Sequence, residues 1–137
     1  GQTLEMILHD GEYRGRRILS PSSLREMFRP QWQYDGHNGD TCGRTIFSYG
    51  LGAFLVDGNG PARPCREKAF SLWGHTGQAF GLLSGLFVIP GTKSGFAYVM
   101  NGEAIAEEDP RSAGAFSTNY IWEERVLDGL CRFIDGL

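Results

Sequence analysis

The first third of the chain carries two amphipathic patterns with helical spacing. Residues 2–10 place three apolar side chains on one face, and Gly11 follows as a natural stop. Ser20 suits the N-cap of a second helix, Pro21 suits its first position, and Pro30 ends it. The segment GEYRGRRI between them predicts a turn or a short extended stretch. The two apolar faces are Leu4, Ile7 and Leu8, and Leu24, Met27 and Phe28.

The middle of the chain shows the pattern of β-strands separated by turns. Residues 31–45 are polar and Gly-rich, which predicts a loop. Asp57–Gly60 and Pro90–Gly95 have the composition of turns, and the second predicts a hairpin connection. Leu86–Ile89 is nearly all apolar, which indicates a strand covered on both faces. The predicted strands are Ser48–Val56, Ala69–Phe80, Leu83–Ile89 and Phe96–Asn101.

The last segment predicts a helix over residues 117–135 with a wide apolar stripe. The stripe consists of Trp122, Val126, Leu127, Leu130, Phe133 and Ile134. Helices, then an antiparallel meander, then a covering helix give an α+β fold. We expect a sheet of about three to four strands, covered by the C-terminal helix and the N-terminal helices. No linker interrupts the pattern, so residues 1–137 are expected to form a single unit.

Composition excludes several classes of function. The chain is 41% hydrophobic and 21% charged, as globular proteins are, and its net charge of −3 argues against a nucleic-acid partner. No apolar run reaches the roughly 18 to 20 residues that span a bilayer. The motif YGLG lacks the third glycine of a dinucleotide site, and we predict no cofactor. We also predict no metal, because the loop that holds Asp35, His37, Asp40 and Cys42 has ordinary turn composition.

The three cysteines allow two interpretations. Cys42, Cys65 and Cys131 could all be thiols, with Cys131 buried on the last helix. Alternatively, a Cys42–Cys65 disulfide closes the loop-rich middle and leaves Cys131 free, which would fit an extracytoplasmic protein. No C-x-x-C pair is present, which argues against a structural zinc site.

The most informative segment is WGHTGQAFGLLSGLFVIPGTKSGFAYVMNG, from Trp73 to Gly102. Its triplet His75-Thr76-Gly77 resembles the third motif of the serine β-lactamase, D,D-peptidase and esterase family, which is K-T-G or H-x-G. Upstream, SYGLGAF and ILSPSSLREMFRP are similar to the class C-like branch of that family, and GQTLEMILHDGEYRGRRILSPSS resembles the helix before the third motif. The resemblance covers nearly the whole chain.

The resemblance implies a partial β-lactamase/transpeptidase-like fold in which the motif strand lines the active-site cleft. His75 and Gln78 would be catalytic: His75 as a hydrogen-bond donor or positive charge, Gln78 through a backbone N–H that completes the oxyanion hole. Thr76 and Gly77 would bind substrate. The Thr76 hydroxyl can hydrogen-bond a carboxylate or carbonyl, and Gly77 lets a flat acyl group lie against the backbone.

The nucleophile of such a hydrolase is missing from the chain. The family's S-x-x-K is absent, and so is Y-x-N; S-x-N occurs at Ser117-Thr118-Asn119, but this lies C-terminal to His75-Thr76-Gly77, whereas the family's second motif lies N-terminal to the third. The chain also begins within a predicted helix rather than with Met. We therefore expect a C-terminal piece, inactive alone, of a hydrolase that attacks an ester, amide or β-lactam bond through an acyl-enzyme. Histidine in place of lysine favours a D-alanyl-D-alanine carboxypeptidase or an esterase over a β-lactamase, and the resemblance implies a periplasmic or extracellular location.

Two other interpretations stay open at this point. The chain could be a non-catalytic binding or assembly domain that retains the β-lactamase-like scaffold. It could also be an unrelated small α+β domain with a coincidental H-T-G. Under the family interpretation, strands from the N-terminal region complete the sheet, so this chain alone would expose an unpaired edge and self-associate.

Overall fold

A six-stranded antiparallel sheet forms the centre of the structure, a computed structural model that describes residues 1–42, 46–59, 65, 70–102 and 121–135. The helices are α1 (Gln2–Leu8), α2 (Pro21–Phe28) and α3 (Ile121–Asp135). A separate hairpin contains β1 (Glu12–Tyr13) and β2 (Arg16–Arg17). The sheet has the order β3-β4-β5-β6-β7-β8, with β3 (Trp32–Gln33), β4 (Ser48–Tyr49), β5 (Phe54–Val56), β6 (Leu72–Ala79), β7 (Leu82–Val88) and β8 (Gly95–Asn101). The α+β class is confirmed, but the expected three to four strands are six.

Local signals explain the N-terminal elements. The side chain of Ser20 accepts a hydrogen bond from the Ser23 N–H at 3.0 Å, and Pro21 occupies the first turn of α2, as predicted. Gly11 has φ +91°, and a Cβ there would lie 2.1 Å from the Leu19 carbonyl oxygen. Only glycine fits this position, where the chain leaves α1 and enters the β1–β2 hairpin.

The segment Ser48–Val56 is a hairpin rather than the single strand that its apolar pattern predicts. The Gly50 N–H donates to the Ala53 carbonyl at 2.7 Å, which closes a turn between β4 and β5. The Leu51 N–H donates to the Met27 carbonyl of α2 at 2.9 Å. A Cβ on Gly50 would lie 2.2 Å from that same oxygen, so the turn is positioned by the end of α2. The segment 31–45, predicted as a loop, contributes the edge strand β3.

Helices cover both faces of the sheet. On one face, Phe87 is fully buried in a cluster that includes Leu127 and Cys131 of α3. On the other face, Trp73 and Val88 pack with apolar side chains of α1 and α2. Burial on both faces explains the continuous apolar pattern at the end of β7. None of the described helices has the length and apolar character needed to cross a membrane.

The apolar stripe of α3 is narrower than its sequence pattern predicts. Leu127 is fully buried and Cys131 is 4% exposed, whereas Phe133 is 67% exposed. Val126 is also exposed. It lies seven residues, or about two helical turns, before Phe133, so both side chains are on the same flank of the helix, away from the sheet. The side chain of Trp122 and the predicted helical residues 117–120 lie outside the described residues.

Both interpretations of the cysteine pairing are wrong, although Cys131 is buried on α3 as the first one expected. Cys65 and Cys131 form a disulfide across a sequence separation of 66, and Cys42 is free and exposed. The two bonded cysteines are buried in the cluster that α3 covers. Packing of α3 on the sheet brings Cys131 to Cys65, a contact that spacing along the chain does not reveal.

Candidate active site

Strand β6 extends beyond its neighbour β5 and leaves one edge open. β5 pairs with β6 only from Leu72 to Gly74, whereas β7 pairs with β6 from Trp73 to Ala79. In the described part of the chain, residues 75–79 therefore have a partner strand on the β7 side alone. We call residues 75–79 the β6 overhang, and all four predicted site residues lie in it.

The register determines which backbone groups point to the open edge. The Gly50–Ala53 hydrogen bond makes these two residues a bonded pair, so the polar backbone groups of Phe54 point away from β4, toward Gly74 of β6. Backbone direction alternates along a strand, and the pairing of β6 with β7 is continuous. Gln78, four residues after Gly74, therefore directs its N–H and carbonyl away from β7, to the open edge.

Two hydrogen bonds hold the ring of His75. Its Nδ1 lies within hydrogen-bond distance of the Thr76 carbonyl oxygen, and its Nε2 lies 2.7 Å from the Tyr49 hydroxyl. A carbonyl oxygen can only accept, so Nδ1 carries a proton. In the neutral ring, Nε2 is then the acceptor and the Tyr49 hydroxyl donates to it. The rings of Tyr49 and Phe54 stand edge-on to the imidazole, with centroids 6.0 Å and 5.4 Å away.

The other predicted residues present a surface that a ligand can reach. Thr76 is half-buried, and both Gly77 and Gln78 are exposed. Gly77 lies opposite Ser84 of β7, and a Cβ at Gly77 would meet one atom within 4 Å, the Ser84 hydroxyl at 2.9 Å. The overhang thus combines a fixed imidazole, a hydroxyl side chain and unshielded backbone groups along one short strand.

Tyr49 is the site residue that the sequence did not predict. Tyr49 does not belong to a Y-x-N motif, because Leu51 stands two positions later. Its role depends on the register of β4 against β5 and of β5 against β6, which brings its hydroxyl to His75 across 26 positions in the sequence. The position of Tyr49 directly before the glycine turn is the sequence feature that could have indicated its place in the site.

The polar loop before β4 uses its carboxylates to form turns. Asp35 Oδ1 accepts the backbone N–H groups of His37 at 2.9 Å and Asn38 at 3.0 Å. Asp40 Oδ1 accepts the N–H of Cys42 at 2.9 Å. The described residues contain no group of three or more histidine, cysteine or acidic side chains arranged to hold a metal ion. Turn formation accounts for the composition of this loop.

Comparisons of this chain with protein-family models, with curated proteins and with solved structures return no match. The function of the β6 overhang therefore has to be inferred from its own geometry and chemistry.

Proposed function

We propose that this chain is the C-terminal part of a serine hydrolase related to β-lactamases, D,D-carboxypeptidases and esterases. The complete protein would cleave an ester, amide or β-lactam bond through an acyl-enzyme. This chain would contribute the strand that lines the cleft, and residues N-terminal to it would contribute the nucleophilic serine, its lysine and the second motif. The chain alone would be inactive, because it has no S-x-x-K.

One observation carries the proposal: the backbone N–H of Gln78 points to an edge of β6 that has no described partner strand. A substrate carbonyl placed beside this edge can accept that N–H, and the bond strengthens as the carbonyl oxygen becomes an oxyanion. Loss of one such donor costs acyl-transfer enzymes about 3 to 4 kcal/mol of transition-state stabilisation. Because the donor belongs to the backbone, the side chain of Gln78 is free to vary.

His75 supports this edge in the proposed mechanism. Its two hydrogen bonds, with the Thr76 carbonyl oxygen and the Tyr49 hydroxyl, fix the ring beside this edge. A protonated His75 would place positive charge beside the cleft, next to the carboxylate or carbonyl that the Thr76 hydroxyl would bind. Gly77 keeps the surface between them flat enough for an acyl group.

The experiment compares two substitutions of Gln78 in a protein that includes the residues upstream of this chain. Gln78→Pro removes the N–H, and Gln78→Ala keeps it. The N–H of Gln78 points away from β7, so proline removes no bond of the β6–β7 ladder and is tolerated at an open edge. A fluorophosphonate probe reports on nucleophilic serine, and hydrolysis of a p-nitrophenyl ester reports on turnover.

We expect the upstream-extended protein to label, with kcat about 100- to 1000-fold lower for Gln78→Pro and close to wild type for Gln78→Ala. Absence of labelling in an extended protein that carries S-x-x-K would refute the hydrolase. An upstream sequence without S-x-x-K would instead favour a non-catalytic binding or assembly domain on the same scaffold.

A further inference from the structure

A second cleft lies between α1, α2 and the β7–β8 turn, and it shares no lining residue with the β6 overhang. Its volume is about 530 Å³, within the range of small-molecule sites. We propose that this cleft binds an aliphatic anion, a small molecule with an alkyl chain and a single carboxylate or similar headgroup. The inference does not depend on the proposed hydrolase activity.

The floor of the cleft is apolar and belongs to two packed layers. Ile7 and Leu8 come from α1, and Leu24 and Phe28 come from α2. Ile89, the residue after β7, completes the floor. Leu24 and Ile89 are only 6% exposed, whereas the other three side chains are half-buried. An alkyl chain that covers these partly exposed carbons is stabilised by roughly 25 cal/mol for each Å² of apolar surface removed from water.

The rim of the cleft is cationic, although the whole chain carries a net charge of −3. Arg25, Arg29 and Lys93 line it, with Asp10 as the opposing charge. Arg29 already forms an ion pair within the protein, because its guanidinium contacts the Glu26 carboxylate at 2.5 Å. This contact and a hydrogen bond from Gln31 lower the pKa of Glu26 to about 2.

Arg25 and Lys93 differ from Arg29 in this respect. Both are exposed, and neither forms an ion pair with a described residue. Both line the cleft, and they belong to different elements: Arg25 to α2 and Lys93 to the β7–β8 turn. An anionic headgroup at the mouth could therefore be contacted by two cations while its alkyl chain lies on the apolar floor.

The turn that carries Lys93 is held in place by its own hydrogen bonds. The Thr92 hydroxyl donates to the Ile89 carbonyl at 2.9 Å, and the Ser94 N–H donates to the Thr92 hydroxyl oxygen at 3.0 Å. The Ile89 N–H also donates to the Ser94 carbonyl at 3.0 Å. A fixed turn keeps Lys93 beside the cleft without a ligand, which reduces the ordering cost of binding.

The test is calorimetric titration of the 137-residue chain with octanoate, with 1-octanol and acetate as the uncharged and chainless controls. The variant Arg25→Gln/Lys93→Gln removes both free cations of the rim. Arg125→Gln removes an exposed cation from α3, on the opposite face of the sheet, as the matched control. Backbone amide NMR shifts locate the bound ligand.

We expect octanoate to bind more tightly than either control, with amide shifts centred on Gly91–Lys93. Each lost cation should weaken octanoate binding by up to about fivefold, and Arg125→Gln should leave it unchanged. Equal affinity for 1-octanol and octanoate would overturn the proposal, as would an unchanged affinity in the double variant. Shifts centred elsewhere, or no binding of octanoate, would overturn it as well.

Discussion

The Cys65–Cys131 disulfide gives the prediction with the largest expected effect. It closes a loop across 66 positions and fastens α3 to the core that this helix covers. A cross-link stabilises a fold mainly by restricting the unfolded chain, and the chain-entropy relation gives about 4 kcal/mol for a loop of this length. Small domains have a total free energy of unfolding of about 5 to 15 kcal/mol, so the disulfide would supply a large share of it.

The prediction is tested with the double variant Cys65→Ala/Cys131→Ala. Alanine is chosen because both sulfur atoms are buried among apolar side chains, where a serine hydroxyl would lack a partner. Cys42→Ala is the matched control, since Cys42 is exposed and free. Urea unfolding, followed by tryptophan fluorescence, should show a free energy of unfolding about 4 kcal/mol lower for the double variant and unchanged for the control. Equal values for the double variant and wild type, or no effect of reductant on wild type, would refute the reasoning.

Three further predictions follow from single positions. Gly74→Ala should lower the free energy of unfolding by at least about 1 kcal/mol in urea titration, because its Cβ would lie 2.8 Å from the Phe87 Cα; an unchanged midpoint would contradict this. The Glu26 carboxyl carbon should titrate by NMR with a pKa of about 2, and Arg29→Gln should raise it; an ordinary pKa in wild type would count against the ion pair. Since the folded pKa is lowered, the stability from this pair is present above the ordinary pKa of glutamate and is lost as the pH falls toward 2. Val99 is 68% exposed on β8, an edge strand of the sheet in the described part of the chain, so light scattering should show self-association that Val99→Lys reduces; a wild-type monomer at high concentration would exclude it.

Much of the fold could be predicted because its signals are local. Ser20 and Pro21 specify the start of α2 through capping and a fixed φ, and both operate within one turn. Pro90–Gly95 has the composition of a tight connection, and it does join β7 to β8. The apolar segments on either side of this connection gave the bounds of β7 and β8 to within about a residue.

The features that could not be predicted depend on contacts between distant segments. The apolar run from Ser48 to Val56 suits one strand as well as two, and the deciding contact is with the Met27 carbonyl of α2. The edge strand β3 has only two residues, Trp32 and Gln33, and polar and glycine residues follow it, so its sequence pattern resembles a loop. The disulfide required knowledge of where α3 packs, which no spacing of cysteines contains.

The candidate site depends both on local sequence signals and on contacts between distant segments, and only the second kind sets the direction of its backbone groups. His75, Thr76, Gly77 and Gln78 are consecutive, so one motif was enough to predict that they lie together. The direction of each N–H follows instead from the register: the N–H of Gly77 is used in the ladder with Ser84, and that of Gln78 faces the open edge. A shift of one residue would reverse the two assignments. The proposed oxyanion donor is therefore a property of the β5–β6–β7 register rather than of the glutamine side chain. A kcat that is retained in Gln78→Ala and lost in Gln78→Pro would distinguish a backbone donor from a side-chain donor.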